Sequence, residues 1–368
     1  MKRKRNYGID LLRIVAMFMI VVLHVLGAGG VIYNFEGISP VYIAAWLLEF
    51  AAYCAVNCYA LISGYVGVES KFRLSNIMLL WLQVFATTIV ITILFGLVGI
   101  SVSGHSILES CMPLTSNLYW YFTAYVCLYL LTPFLNQFVA SLDKRRAKYL
   151  LLILIVLFSF VPTFLNADLF YVRGGYSALW LIVLYIIGGV IYKYETEIKI
   201  KTSVLVIMYI GSVLVTLLSK LAIEFLEGRL PFRFYESNFL MNYNSPTIIL
   251  AGVSLLLLFS RLRVEKWKKL ISYIAPLTFG IYIIHSHPLV WDEIIVNRFV
   301  VFTTYHPIKM ILSVILSASV IFFVCALVEY VRAKLFRMVH VIKLLKFIEA
   351  KILTLFENFL KFNKRGEI

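Results

Sequence analysis

Residues 8–30 read GIDLLRIVAMFMIVVLHVLGAGG, an apolar run long enough to cross a bilayer as one helix. Three ionisable residues, Asp10, Arg13 and His24, interrupt this run. An Asp or Arg in hydrocarbon costs roughly 2.5–3.5 kcal/mol on insertion scales. Because a helix needed only as an anchor would carry leucine at these positions, the three residues indicate a function inside the membrane.

The spacing of these residues indicates how they are arranged on the helix. Arg13 and His24 are eleven residues apart, which puts them on the same helix face and roughly 16 Å apart along the axis. Asp10 precedes Arg13 by one turn and is close enough to pair with it. The sequence therefore predicts a cation near one membrane surface and an imidazole towards the other. The alternative is that Asp10 and Arg13 reach to the interface while His24 only bonds within the core.

The composition of the whole chain is that of a polytopic membrane protein. The chain is 62% hydrophobic and only 14% charged, whereas soluble domains are near half apolar and a quarter charged. We therefore predict an all-α bundle of about ten transmembrane helices from the lengths of the apolar runs. The predicted spans cover residues 8–30, 41–66, 74–100, 118–140, 147–165, 176–193, 202–222, 245–260, 270–295 and 308–332.

The distribution of positive charge predicts the orientation in the membrane. Of the 34 lysines and arginines, eighteen fall in the amino-terminal segment and the loops on its side of the predicted bundle, and four fall in loops on the other side. This asymmetry places both termini in the cytoplasm of a multi-pass protein of the cell membrane. The net charge of +15 thus reflects topology and contact with membrane lipids, and we do not expect nucleic acid as a partner.

The last 35 residues differ from the rest of the chain. Between residues 334 and 362, lysines such as Lys343 and Lys346 follow one stripe and apolar residues such as Leu345 cover the other side. This pattern is typical of an amphipathic helix that lies on the cytoplasmic leaflet. We therefore predict a membrane domain at 1–333 and a cytoplasmic amphipathic helix and tail at 334–368.

Four phrases, in this order along residues 8–330, resemble the acyltransferase-3 family of integral membrane acyltransferases. They are Ile9 to Arg13 followed by His24, the Ser63-Gly64-Tyr65 end of the second span, Trp120 with the run from Tyr129 to Pro133, and TFGIYIIH at 278–285. The general plan is similar to that of bacterial surface-polysaccharide O-acetyltransferases. The resemblance implies transfer of an acetyl group from acetyl-CoA to a hydroxyl of an envelope polysaccharide or a lipid-linked saccharide.

The resemblance also implies roles for residues of the first two spans. His24 and Asp10 are the expected catalytic residues, and His24 acts either as a general base or as a covalently acylated imidazole. Arg13, with Lys71 and Arg73, is expected to bind the phosphates of acyl-CoA. The family often has adjacent basic residues near the latter position. Here Phe72 separates them, so an ordinary positive-inside anchor is an equal alternative.

Acceptor contacts are expected from Trp120, Tyr282 and His285. For His285 the alternative is a hydrogen bond between helices. The loop 223–244 mixes charged and aromatic residues, which suits carbohydrate, and an interfacial re-entrant segment would show the same pattern. No metal is expected, because His285 and His287 would diverge on a helix and no acidic cluster joins them.

A function of a different class stays open at this stage. Intramembrane Arg and His also fit a membrane carrier, or a non-catalytic transport module, for a small polar solute or an acyl donor. Release of the CoA thiol would distinguish an acyltransferase from such a carrier.

Overall fold

The computed structural model describes residues 5–227 and 239–365, and this part of the chain contains α-helices and no β-strand. The first eight helices are α1 (Tyr7–Leu26), α2 (Pro40–Tyr53), α3 (Ala55–Gly67), α4 (Leu74–Leu97), α5 (Gly104–Cys111), α6 (Trp120–Ser141), α7 (Lys144–Ile155) and α8 (Val161–Leu165). The next eight are α9 (Ala178–Lys193), α10 (Thr202–Leu226), α11 (Pro246–Ser260), α12 (Lys268–Ile274), α13 (Thr278–His285), α14 (Pro288–Val290), α15 (Pro307–Met338) and α16 (Val341–Arg365).

Seven helical stretches in the described ranges are long and apolar enough to cross a membrane. They are Tyr7–Leu26, Pro40–Gly67, Leu74–Leu97, Trp120–Ser141, Lys144–Leu165, Thr202–Leu226 and Pro307–Met338. Two shorter apolar helices, α9 and α11, lie in the sequence where we predict further spans. The chain is thus an all-helical membrane protein, and the total of ten crossings stays a prediction.

The region predicted as one span over 270–295 is divided into short pieces. A 3-10 turn at Ala275–Leu277 separates α12 from α13, and a π-helical turn at Trp291–Ile295 follows α14. Pro276 lies in the first break and Pro288 begins α14. Because proline lacks an N–H and clashes with the preceding turn, a continuous helix cannot form here. The chain after His285 consequently bends back and brings Trp291 against α1.

A close helix contact joins α3 and α9 through two glycines. A Cβ added at Gly64 would lie 2.0 Å from the carbonyl oxygen of Tyr185, and one added at Gly188 would lie 2.1 Å from that of Leu61. Only glycine allows the two backbones to approach so closely. This contact fixes α3, whose other side contacts α1.

Hydrogen bonds between chain segments define one end of the bundle, which we call the amino-terminal face. The Asn6 amide donates to the carbonyl of Ser260 at 2.7 Å, so the start of α1 lies beside the end of α11. Arg261 donates to the carbonyls of Ile198 (3.1 Å) and Ile200 (2.5 Å), which precede α10. Three parts of the chain that are distant in sequence therefore meet at this face.

The carboxyl-terminal segment contains α16, and the amphipathic interfacial helix expected there stays a prediction. Leu345 is buried while Lys343 and Lys346 are exposed, and the helix contacts α4 and α15. Its predicted position on the cytoplasmic leaflet stays a prediction. The preceding helix α15 continues to Met338, five residues beyond the predicted end of the membrane domain.

Candidate active site

A cavity of about 540 Å³ lies among α1, α2, α3, α6, α13 and the segments beside them. We call it the central cavity, and its volume is in the range of small-molecule sites. Its lining is rich in aromatic residues and also includes a few polar side chains. The aromatic residues are Tyr33, Tyr53, Tyr59, Tyr119, Trp120, Tyr121, Tyr176, Tyr243, Phe279, Tyr282 and Trp291, and the ionisable ones among the rest are His24, Glu49 and Asp292.

His24 stands in the last turn of α1 and lines the central cavity. Its Nδ1 lies 2.9 Å from Nε2 of His285 on α13. The Nδ1 of His285 in turn lies 2.6 Å from the carbonyl oxygen of Ile281, one turn earlier on the same helix. The ring of Trp291 meets His24 edge-on, with centroids 4.7 Å apart. The imidazole of His24 is therefore held by partners on two sides.

This hydrogen-bond chain assigns the tautomers of both histidines. The Ile281 carbonyl only accepts, so Nδ1 of His285 carries the proton of that bond. In neutral His285, Nε2 is then an acceptor, and Nδ1–H of His24 must be the donor. The Nε2 atom of His24 is left with a free lone pair. It is the atom of His24 that can accept a proton or bond to carbon.

Asp10 and Arg13 form the ion pair that the sequence predicts. Arg13 donates to one carboxylate oxygen of Asp10 at 3.1 Å, and Arg5 donates to the other at 2.5 Å. Asp10 is buried, whereas the Arg13 side chain is about one-third exposed. The structure does not bring Asp10 to His24, since fourteen residues of helix correspond to about 21 Å. Asp10 thus contacts Arg13 and lies far from His24, at which its expected catalytic role would be carried out.

Lys71 and Arg73 lie in the exposed segment before α4. Within the described ranges, no hydrogen bond or ion pair joins either side chain to Arg13. The hydroxyl of Tyr129 donates to the backbone carbonyl of Arg73 at 3.1 Å. Tyr129 therefore ties the segment that carries Lys71 and Arg73 to α6.

Tyr129 is the last of three tyrosines that follow one face of α6. Tyr121, Tyr125 and Tyr129 are one turn apart, and successive ring centroids are 6.3 Å apart. Tyr121 lines the central cavity, whereas Tyr129 contacts Arg73. The tyrosines thus connect the two sites at which the sequence predicts acyl chemistry and phosphate binding.

The predicted acceptor residues separate into two groups. Trp120 and Tyr282 line the central cavity, as their proposed role requires. His285 is fully buried behind His24 and does not belong to the described lining. Its contact with His24 is the hydrogen bond between helices that the sequence offers as the alternative to acceptor binding. His287 faces elsewhere, with Nε2 3.4 Å from Oγ1 of Thr92. Residues 228–238 of the loop expected to contact carbohydrate lie outside the described residues.

Sequence reasoning missed Glu49, which lines the central cavity from α2. The residue is only 5% exposed, and its Oε2 atom makes no hydrogen bond in the described structure. The signal was present, because Glu49 is an acidic residue within the predicted span 41–66, as Asp10 is in the first. Two hydroxyls of the lining, those of Tyr121 and Ser286, are likewise buried without a partner.

Comparison with known proteins places this architecture in a family. The acyltransferase-3 family model, described as an acyltransferase domain, matches residues 6–330 of the 368. No curated protein and no solved structure matches the chain significantly. The match covers α1 with Arg13 and His24, the central cavity and α13 with His285. The chain belongs to the acyltransferase-3 family of integral membrane acyltransferases.

Proposed function

We propose that the protein transfers an acetyl group from cytoplasmic acetyl-CoA to a hydroxyl of an envelope polysaccharide or a lipid-linked saccharide. The observation that carries the proposal is the chain from Ile281 through His285 to His24, which leaves Nε2 of His24 unprotonated at an aromatic cavity. A positioned imidazole with a free nitrogen is the group that general-base catalysis needs.

The reaction follows from the position of this nitrogen. Nε2 of His24 takes the proton of the acceptor hydroxyl while the hydroxyl oxygen attacks the thioester carbonyl. The carbon–sulfur bond then breaks, and the imidazolium returns its proton to the departing CoA thiolate. The hydroxyls of Tyr121 and Ser286 have no partner within the described structure, so they can donate to the carbonyl oxygen as it gains charge.

The donor enters from the amino-terminal face. Arg13 bonds Asp10 through a single nitrogen, so other N–H groups of its five donors are available for phosphate. Lys71 and Arg73 add positive charge where α4 begins. The pantetheine arm then runs past Tyr129 and Tyr125 towards the cavity, along the face that these side chains share with Tyr121.

The proposed orientation has both termini in the cytoplasm of the cell membrane, with α16 on the inner leaflet. His24 lies about eighteen residues into α1, so it is beyond the midplane and closer to the outside. Acyl-CoA is a large anion and cannot cross unaided. The protein must therefore accept the donor on one side and the acceptor on the other.

Oriented vesicles test this proposal. Purified protein is reconstituted, and acetyl-CoA labelled in the acetyl group is supplied to one side at a time. We expect release of CoA thiol only with donor on the cytoplasmic side and labelled acceptor on the opposite side. A carrier would release no thiol, and reaction of both substrates from the cytoplasmic side alone would contradict the transmembrane mechanism.

The same material distinguishes the two roles left open for His24. Labelled acetyl-CoA is added without acceptor, and the protein is quenched and examined by mass spectrometry. Acetyl bound to His24 would establish the acyl-imidazole route, whereas the general-base route leaves the protein unmodified.

A further inference from the structure

Three unpartnered polar atoms of the described residues lie at the central cavity. The described structure has eight buried side-chain nitrogen or oxygen atoms without a hydrogen bond, and three of them belong to residues that line this cavity. These are Oε2 of Glu49 and the hydroxyls of Tyr121 and Ser286. A buried polar atom that stays unsatisfied is costly, because it has lost its hydrogen bonds to water. A ligand that completes these bonds recovers part of that cost.

Glu49 is the most informative of the three, because a cation close to it is engaged by another acid. Lys220 lies 4.0 Å above the ring of Trp46, one turn before Glu49 on α2. Its ammonium donates to Glu224 at 2.6 Å, and Tyr42 donates to the same carboxylate. Among the described residues no ion pair includes Glu49. The carboxyl group is thus kept open towards the cavity.

A row of aromatic rings runs beside this carboxyl group. Tyr53 lies one turn after Glu49 on α2, and its ring centroid is 5.0 Å from that of Tyr243. Tyr243 is 4.9 Å from Tyr176, which is 4.7 Å from Trp120. All four rings line the central cavity. They form a wall on which a flat apolar face can pack.

The charges of the lining restrict what can bind. Its ionisable side chains are His24, Glu49 and Asp292, and no lysine or arginine belongs to the described lining. A carboxylate, sulfate or phosphate on the acceptor ring would meet two acidic side chains and no cation. Such a group would lose its hydration with only neutral donors to replace it, so the lining disfavours an anionic ring.

We infer that the acceptor ring is an uncharged sugar residue that packs on the Tyr53–Trp120 row and donates a hydroxyl hydrogen bond to Glu49. This inference rests on the proposed function and names the chemical class of the residue that receives the acyl group. The rings cover the apolar C–H face of the sugar, and the acid accepts from a hydroxyl at its edge. Glu49 is then a specificity-determining residue. An ammonium group could also meet rings and an acid, and the experiment separates the two cases.

The test uses envelope glycan from cells that lack the protein and are complemented with single variants. Tandem mass spectrometry of the glycan gives the acyl content per repeat and the sugar that carries the acyl group. The variants are Glu49→Gln, Glu49→Leu and the control Glu197→Gln, which alters an exposed acid that pairs with Lys144 and does not line the cavity. Membrane abundance and elution in detergent are measured for each.

We expect the acyl group on an uncharged residue. Glu49→Leu should lower acylation at least tenfold, because it removes the oxygen that accepts the hydrogen bond from the sugar hydroxyl. Glu49→Gln should retain at least a third, since its amide oxygen accepts the same hydroxyl, and Glu197→Gln should match the parent protein. Equal loss in Glu49→Gln and Glu49→Leu would mean that the negative charge is needed, as for an ammonium group, and would overturn the inference. Acylation of a charged sugar residue would overturn it as well.

Two further outcomes separate the possible failures. If the parent protein adds no acyl group to the glycan, the proposed function is wrong, whereas parent activity with unchanged Glu49→Leu contradicts this inference alone. If Glu49→Leu does not accumulate, variants of Tyr176 provide the test, because this residue of the aromatic row is exposed and we expect its truncation to leave the fold intact. Tyr176→Phe should then keep activity and Tyr176→Ala should lose about tenfold, and equal activity of both would overturn the inference.

Discussion

Two buried glutamates differ in how completely their carboxylates are hydrogen-bonded by other groups of the protein. Glu329 on α15 is 1% exposed and accepts from Arg332 at 2.5 and 2.9 Å and from Gln83 at 3.1 Å. Glu49 on α2 is 5% exposed, and its Oε2 atom has no partner within the described ranges. The carboxylate of Glu329 is thus hydrogen-bonded within the protein, whereas Oε2 of Glu49 is left without a partner among the described residues at the central cavity.

This difference separates structural from functional roles among buried ionisable residues. The carboxylate of Glu329 packs directly on Gly280, since a Cβ added at Gly280 would lie 2.1 Å from Cδ of Glu329. This contact holds α15 against α13. Asp10 belongs to the same class, with an arginine on each oxygen. Changes to the satisfied groups should reduce stability, whereas changes at the central cavity should reduce transfer. The following predictions test that separation.

The largest expected effect is at His24. His24→Ala should lower acyl transfer by roughly 10²–10⁴-fold, because the general base is removed. The variant should still insert and accumulate, and His105→Ala, at an exposed position of α5, serves as its control. Release of CoA thiol measures transfer, and immunoblotting measures abundance. Near-normal transfer would remove His24 from the mechanism.

Glu329→Ala should mainly destabilise the protein. It leaves Arg332 without its partner, and breaking a buried pair costs about 3–5 kcal/mol, reduced here because Arg332 is 18% exposed. We expect a lower unfolding temperature in detergent and lower abundance.

A double variant sharpens the test at this pair. Glu329→Met combined with Arg332→Met should recover most of the lost stability, since apolar replacement of both partners is close to neutral. If Glu329→Ala were as stable as the parent protein, the complete hydrogen bonding of the Glu329 carboxylate would not indicate a structural role.

His285 is expected to be a positioning residue. His285→Ala should lower transfer by about 10–100-fold, the range seen when the group that orients a functional imidazole is lost. His285→Gln should restore part of this loss, because its amide oxygen can accept from Nδ1 of His24. If His285 had a purely structural role, the two variants would show the same loss of transfer when compared at equal protein abundance.

The smallest effect is expected for Arg13→Lys. An ammonium group cannot reproduce the planar fork of the guanidinium, so the KM for acetyl-CoA should rise about 5–10-fold with little change in kcat. Lys144→Arg, which alters a cation paired with Glu197, is the control. An unchanged KM would indicate that Arg13 is only a topology anchor.

The sequence was informative wherever one helix holds the relevant residues. Asp10, Arg13 and His24 lie on α1, so their order and the Asp10–Arg13 ion pair followed from helix geometry alone. The pairing of His24 with His285 could not be derived in this way, because it depends on how α13 packs against α1. The row from Tyr53 to Trp120 was hidden for the same reason, as its four rings come from separate segments.

Helix breaks were the other source of error. Apolar run length predicted one span over 270–295, although Pro276 and Pro288 lie within it. Run length measures hydrophobicity and is insensitive to missing N–H groups, so the turn that brings Trp291 to His24 was not foreseen.

The contact between His24 and His285 also has a consequence for biosynthesis. The two histidines are 261 residues apart in the chain. At roughly 5–20 residues per second, a ribosome needs about 13–50 s to add the second histidine after the first. During that interval α1 can already be in the membrane, but its imidazole has no partner to fix its tautomer. A chain released before α13 is made would therefore occupy the membrane without being able to consume acetyl-CoA.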